Sequence, residues 1–213
     1  MINLIRKDIL IALTKWNVIT MIFLSIFYFI ILDGISVEKR LLFLAAIVPF
    51  FIMQISFSFD DRNKSIRVIR SLPVRAEEVI YSKYLGMMII FAAVTLVLQA
   101  ILLVLNLFGL NIGIISWHKL LLSGVFIMLV TSISFPAYFK LSYSKSRIFN
   151  ILLYVFIFIM LNSFFTSDMD MLYSVSKYLD KVNIYFILLV LVTILIYFIS
   201  SIISINLYKT RDL

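Results

Sequence analysis

Charge in this chain is confined to short stretches. Between them lie six intervals with no Lys, Arg, Asp or Glu: 16–32, 41–59, 84–118, 120–139, 148–167 and 182–208. A helix needs about 20 apolar residues to cross roughly 30 Å of hydrocarbon. The intervals are 17, 19, 35, 20, 20 and 27 residues long, each enough for one crossing or close to it. Backbone groups in lipid must bond within their own segment, so each interval is expected to be a helix. The 35-residue interval exceeds one span, and its glycine-broken tail, Gly109-Leu110-Asn111-Ile112-Gly113, reads as an outer loop. The expected fold class is an all-α membrane protein, a single six-helix domain over 1–213 with helices near 16–32, 41–59, 84–108, 120–139, 148–165 and 184–207.

Composition supports water being the wrong solvent. Hydrophobic residues make up 63% and charged residues 14%, with a mean hydropathy of +1.12. A soluble domain sits near half apolar and a quarter charged. The absence of cysteine removes disulfides and thiolate metal sites, and the single histidine, His118, leaves no partner for a His-based cluster or a Ser–His–Asp arrangement. A membrane-embedded protease fails on the same grounds, because Glu77-Glu78 fall in a connection between spans. No ionisable side chain falls at mid-depth in a span, which disfavours proton relays and ion-coupled transport. A cleaved signal peptide is disfavoured too: Asp33-Gly34-Ile35 offers no small-x-small site, so the first span is expected to be retained.

Orientation follows from the positive residues. One side carries 14 Lys and Arg, six of them in the connection between the second and third helices (Arg62, Lys64, Arg67, Arg70, Arg75 and Lys83). The other side carries 5: Lys39, Arg40, Lys119, Lys177 and Lys181. Both termini are therefore expected in the cytoplasm of a bacterial cell, with the chain multi-pass in its membrane. The net charge of +8 is explained by topology and calls for no nucleic-acid partner.

The connecting segments carry pattern of their own. Residues 1–15 are amphipathic, with Ile2, Ile5, Ile9, Ala12 and Leu13 on one helical face and Asn3, Arg6, Lys7 and Thr14 on the other. They read as a helix in the headgroup plane, either a simple anchor or an elbow bearing on neighbouring subunits. In the connection 60–83, Asp60 and Asp61 suit the start of a short helix, where carboxylates meet the positive dipole end. Ile66 and Ile69 stand three apart on it beside a basic row, Arg67 and Arg70, and Leu72-Pro73 stops it. Pro73 then opens a second helix, with Glu77 and Glu78 in its early turns, running into the third span. The plainer alternative is that these positive residues only set topology. The outer connection 166–183 places Asp168 and Asp170 early and Lys177 and Lys181 late, with Met169, Leu172, Tyr173 and Leu179 between. That is an outer amphipathic segment or a plain loop. Pro136, after Thr131-Ser132-Ile133-Ser134, is expected to kink the fourth helix.

Several of these residues also resemble a family. Asp60-Asp61-Arg62-Asn63-Lys64-Ser65, then Arg70-Ser71-Leu72-Pro73-Val74-Arg75 and Val79-Ile80-Tyr81-Ser82-Lys83-Tyr84-Leu85, are similar to the ABC-2 type exporter permeases. The opening Leu4-Ile5-Arg6-Lys7-Asp8 resembles that family's Leu-x-x-Lys-Asp start, while Arg75 and Ala76 depart from its pattern after Pro-Val. The resemblance implies the membrane-spanning subunit of an ATP-driven exporter, itself without catalytic or metal residues. Small basic permeases of this layout resemble exporters of amphipathic peptides, such as phenol-soluble modulins or bacitracin-like antibiotics. It implies a separate nucleotide-binding ATPase as partner, a second permease copy to form the path, and membrane lipid around both. This chain has no Gly-x-x-x-x-Gly-Lys-Ser/Thr, so ATP and Mg would be bound by the ATPase and no cofactor by this chain. The coupling helix, through Asp61, Arg62, Ile66, Arg67, Ile69 and Arg70, would dock on that ATPase. Of the polar residues in the spans, Gln54, Ser58, Gln99 and Asn162 either bond between helices or line the path. Two rival classes are a substrate-capture subunit of an ATP-driven vitamin importer and a non-transporting immunity protein. Neither requires a folded basic connection between the second and third helices.

Overall fold

A computed structural model describes residues 1–31, 37–109, 115–141, 145–146, 149, 152–153 and 184–210. Their main elements are seven helices: α1 (Ile2–Ala12), α2 (Lys15–Ile31), α3 (Val37–Arg62), α4 (Ser65–Ser71), α5 (Ala76–Leu107), α6 (Trp117–Leu141) and α7 (Ile184–Lys209). No strand occurs among the described residues. Among the described residues four helices are long and apolar enough to cross a membrane: α3 from Arg40, α5, α6 from Lys119 and α7 from Phe186. They match the second, third, fourth and sixth expected spans. The first expected span is helical as α2, whose 17 residues reach about 26 Å at 1.5 Å per residue. The fifth expected span, 148–165, lies almost wholly outside the described residues, and the outer segment 166–183 lies wholly outside them.

The helix–turn–helix expected between the second and third spans is present, but its phase differs. Helix α3 does not stop at its last apolar residue; it runs through Asp60 and Asp61 to Arg62. The acids therefore end one helix instead of opening the next, and α4 has no acid in its first turn. Carboxylates at a helix C-terminus oppose the dipole, so this extension needs neutralising partners, and Asp60 has two lysines. The chain then reverses through Asn63-Lys64, with Lys64 in the left-handed region at φ 51°. Leu72 is extended ahead of Pro73 and stops α4 as expected, and Glu77 and Glu78 sit in the first turn of α5.

Packing is built on α3 and α6. Helix α6 lies along α7, while α3 contacts α1, α5 and α6. The larger apolar cluster follows α3 from Phe43 to Phe57 and gathers Met87 and Ile90 of α5, Phe135 of α6 and Tyr208 of α7. A smaller cluster joins Leu42, Ala45, Leu102, Ile115 and Leu120 at the opposite end of the bundle. Gly124 lets α5 and α6 approach closely: a Cβ there would lie 3.0 Å from the Phe91 ring. Pro136 lies inside α6 and lacks the N–H that would bond the Ser132 carbonyl four residues back. Ser200 of α7 donates its hydroxyl to that carbonyl at 2.6 Å. Side-chain repair of this kind is what lets proline persist inside a membrane helix.

Candidate functional site

Lys83 stands at the end of the bundle that carries Met1 and Lys209, two turns into α5. Its stem and ammonium are enclosed, leaving the residue 4% exposed. Nζ donates to Asp8 Oδ1 at 2.9 Å, to Asp60 Oδ2 at 2.7 Å and to Ser56 Oγ at 2.6 Å. The Ser56 hydroxyl in turn donates to Asp8 Oδ1 at 2.7 Å. Lys7 closes the group from the rim, donating to Asp60 Oδ1 at 2.7 Å. Two ammoniums and two carboxylates thus balance in one enclosed site, drawn from α1, α3 and α5. The Phe57 ring lies 4.9 Å from the Lys83 nitrogen, a cation–π contact on its apolar side. Such a group holds its geometry because any one member left alone would be an uncompensated buried charge.

Beside it is a cavity of about 30 Å³, room for about two waters. Leu4 and Asp8 of α1, Asp60 and Asp61 of α3, Ile69 of α4 and Tyr208 of α7 are among its lining residues. Asp8 Oδ2 is buried with no partner among the described residues.

The α1 face differs from the expected one. Ala12 and Ile9 of the expected apolar face do pack inward, but Asp8 and Ile11 turn into the bundle with them, while Ile2 and Leu13 of that face are exposed. The inward face is centred on an acid because Lys83 waits there. The corner into α2 is pinned at the Ile11 carbonyl, which accepts from Asn17 Nδ2 at 2.7 Å and Thr14 Oγ1 at 3.1 Å.

The coupling residues divide. Asp61 lines the cavity and Arg62 is exposed at the end of α3. Ile69 is buried in this chain's own core, packed with α3 and α5 residues, and is not free for a partner. Ile66, Arg67 and Arg70 lie on α4, with side chains outside the described set. The apolar residues that α4 and its exit do present are Val68 and Leu72, both more than half exposed.

The four expected path residues do not converge. Gln54 of α3 is buried and donates to the Tyr138 hydroxyl. Gln99, near the far end of α5, is buried and donates to the Ile115 carbonyl at 2.7 Å. Ser58 is half-buried, and Asn162 lies outside the described residues. A second polar seam joins α5, α6 and α7. The Ser200 proton goes to the Ser132 carbonyl, so the Tyr84 hydroxyl donates to Ser200 and accepts from Ser204, at 2.7 and 2.8 Å.

Asp8, Ser56 and Lys83 were not singled out as site residues from sequence. The available signal was that Asp60 is the first charge after the second span and Lys83 the last before the third, a place where charges meet when the two helices pair.

Among the described residues no group of three or more His, Cys, Asp or Glu is placed to hold a metal ion. A family model described as "ABC-2 family transporter protein" matches residues 3–209. No curated relative and no solved structure matches the chain.

Proposed function

The chain belongs to the ABC-2 family of transporter proteins, and from that membership we propose that it is the membrane-spanning subunit of an ATP-driven exporter of amphipathic peptides, antimicrobial or toxic. Energy comes from a separate nucleotide-binding subunit, which binds the ATP and Mg that this chain has no loop to hold. The observation that carries the reading is α4. It is a short helix held out between α3 and α5, anchored inward by Ile69 and presenting Val68 and Leu72 outward beside exposed Arg62, Lys64 and Arg75. An apolar pair rimmed by cations suits a partner groove with an acidic edge. Arg67 and Arg70 extend that rim if they face the partner.

Both termini and α4 are taken as cytoplasmic, and the export path is taken to run between two copies of the chain. Of Gln54, Ser58, Gln99 and Asn162, Ser58 is the described residue best placed for such a surface, because the two glutamines are turned into their own chain. Peptide cargo rests on the resemblance to small basic exporters. Export follows if nucleotide-driven closure of the ATPases moves α4 and shifts the two copies between alternative packings.

The test is co-expression with the ATPase encoded beside the chain. Co-purification, and stimulation of ATP hydrolysis by amphipathic peptides, are the expected results. Val68→Asp with Leu72→Asp removes two exposed anchors, each contributing about 1.5–3 kcal/mol if fully buried by the partner. That pair is expected to release the ATPase and abolish export while the chain still inserts. Normal export with the ATPase still attached would overturn the docking role of α4. Tight binding of a small vitamin by the isolated chain would favour an importer instead.

A further inference from the structure

We propose that the Lys83–Asp8–Asp60 group is a mechanical clamp that makes α1 and the α3–α4–α5 stem one rigid body, so that displacement of α4 by the ATPase carries α1 and the start of α2 with it. The inference rests on the coupling role of α4 and assigns Lys83, Asp8 and Asp60 as positioning residues within it. Three observations carry it. First, Asp8 of α1, 1% exposed, is held by donors from two different helices, Ser56 of α3 and Lys83 of α5, and Lys7 of the same helix reaches Asp60 of α3 from the rim. Second, Ile69 of α4 and Leu4 and Asp8 of α1 line the same small cavity, so the two short helices bear on one point of the stem. Third, the corner from α1 into α2 is pinned by Asn17 and Thr14 on the Ile11 carbonyl, which passes a movement of α1 onward.

An enclosed charge group suits this task better than apolar contact does. Apolar packing holds surfaces together but does not select one donor–acceptor geometry, because burial is non-directional. A lysine shared between two carboxylates and a hydroxyl has few equivalent seats, and leaving them strands charge away from water. The clamp is therefore stiff in the direction in which α1 would otherwise slip.

The experiment uses the assembled transporter and exploits the absence of native cysteine. Spin labels are placed by Asn3→Cys on α1 together with Ser71→Cys at the end of α4, and separately by Ser71→Cys alone, which reads the distance between the two copies. Distances are read by pulsed electron resonance with and without ATP and Mg. The Ser71–Ser71 distance between the two copies is expected to change with ATP, while the Asn3–Ser71 distance stays the same in both states. A neutral variant, Lys83→Met with Asp8→Asn, Asp60→Asn and Lys7→Met, removes the Lys7–Asp60 tie between α1 and α3 along with the rest of the group. In it the Asn3–Ser71 distance is expected to lose that invariance and broaden, with the ATPase still bound. An Asn3–Ser71 distance that changes in the unsubstituted transporter overturns the clamp and needs no variant to do so. Unaltered invariance in the neutral variant overturns it as well. Failure of the ATPase to bind, or a Ser71–Ser71 distance between the copies indifferent to ATP, removes the coupling reading itself and the clamp with it.

Discussion

Lys83 keeps its charge at 4% exposure because every direction its ammonium faces is occupied: two carboxylates, a hydroxyl and an aromatic face. Its removal is therefore asymmetric. Lys83→Met alone leaves Asp8 and Asp60 buried with only the rim lysine, and is expected to cost about 3–5 kcal/mol. Thermal unfolding of the detergent-purified chain would read this as a large fall in midpoint. Adding Asp8→Asn should restore most of it, since the Lys7–Asp60 bond at 2.7 Å survives in a neutral site. A single variant as stable as the parent would show that the group contributes nothing to the fold. From sequence, Lys83 reads as one of six cations that set topology, because the positive-inside count treats all loop charges alike. Topology puts α1 at the same end as Lys83. Separating a buried cation from a solvated one also requires knowing that Asp8 turns toward α3 and α5, and nothing in residues 1–15 encodes that packing locally.

Elements were more legible than their phases. The charge-free intervals locate α3, α5, α6 and α7, and the Leu72-Pro73 stop locates the end of α4, because hydrophobic thickness and proline stereochemistry act within the segment itself. Whether Asp60 ends one helix or begins another is decided by Lys7 and Lys83, which lie 53 and 23 residues away. The same applies to α1, whose inward side is chosen by Lys83 over the apolar stripe. Helix α6 offers a test of long-range repair. Ser200→Ala leaves the Ser132 carbonyl without its donor and should cost about 1 kcal/mol. In a Pro136→Ala background the alanine N–H takes over that carbonyl, so the same serine change should cost measurably less. Equal costs in the two backgrounds would mean that the hydroxyl serves Tyr84 alone.

The whole molecule is asymmetric end to end. Basic residues crowd the end where the termini, α4 and the charge group meet, and the opposite end closes over a small apolar cluster at Leu102 and Leu120. If that asymmetry reports orientation, cysteines at Lys64 and Lys145 should be shielded from impermeant thiol reagents in intact cells, and cysteines at Asn111 and Asp170 should label. Labelling of the Lys64 position from outside would invert the topology.

The span of the charge group also sets an order of events during synthesis. Asp8 is separated from Lys83 by 75 residues. At roughly 5–20 residues per second, a ribosome needs about 4–15 s to make that stretch. Throughout that interval α1 exists without its partners, an acid-bearing amphipathic helix that cannot yet be seated. It remains unseated until α3 and the start of α5 have been released. Closure of this end of the bundle therefore reports that the third span has arrived. A nascent chain arrested before Lys83 should leave α1 open to protease, and one arrested well beyond it should not.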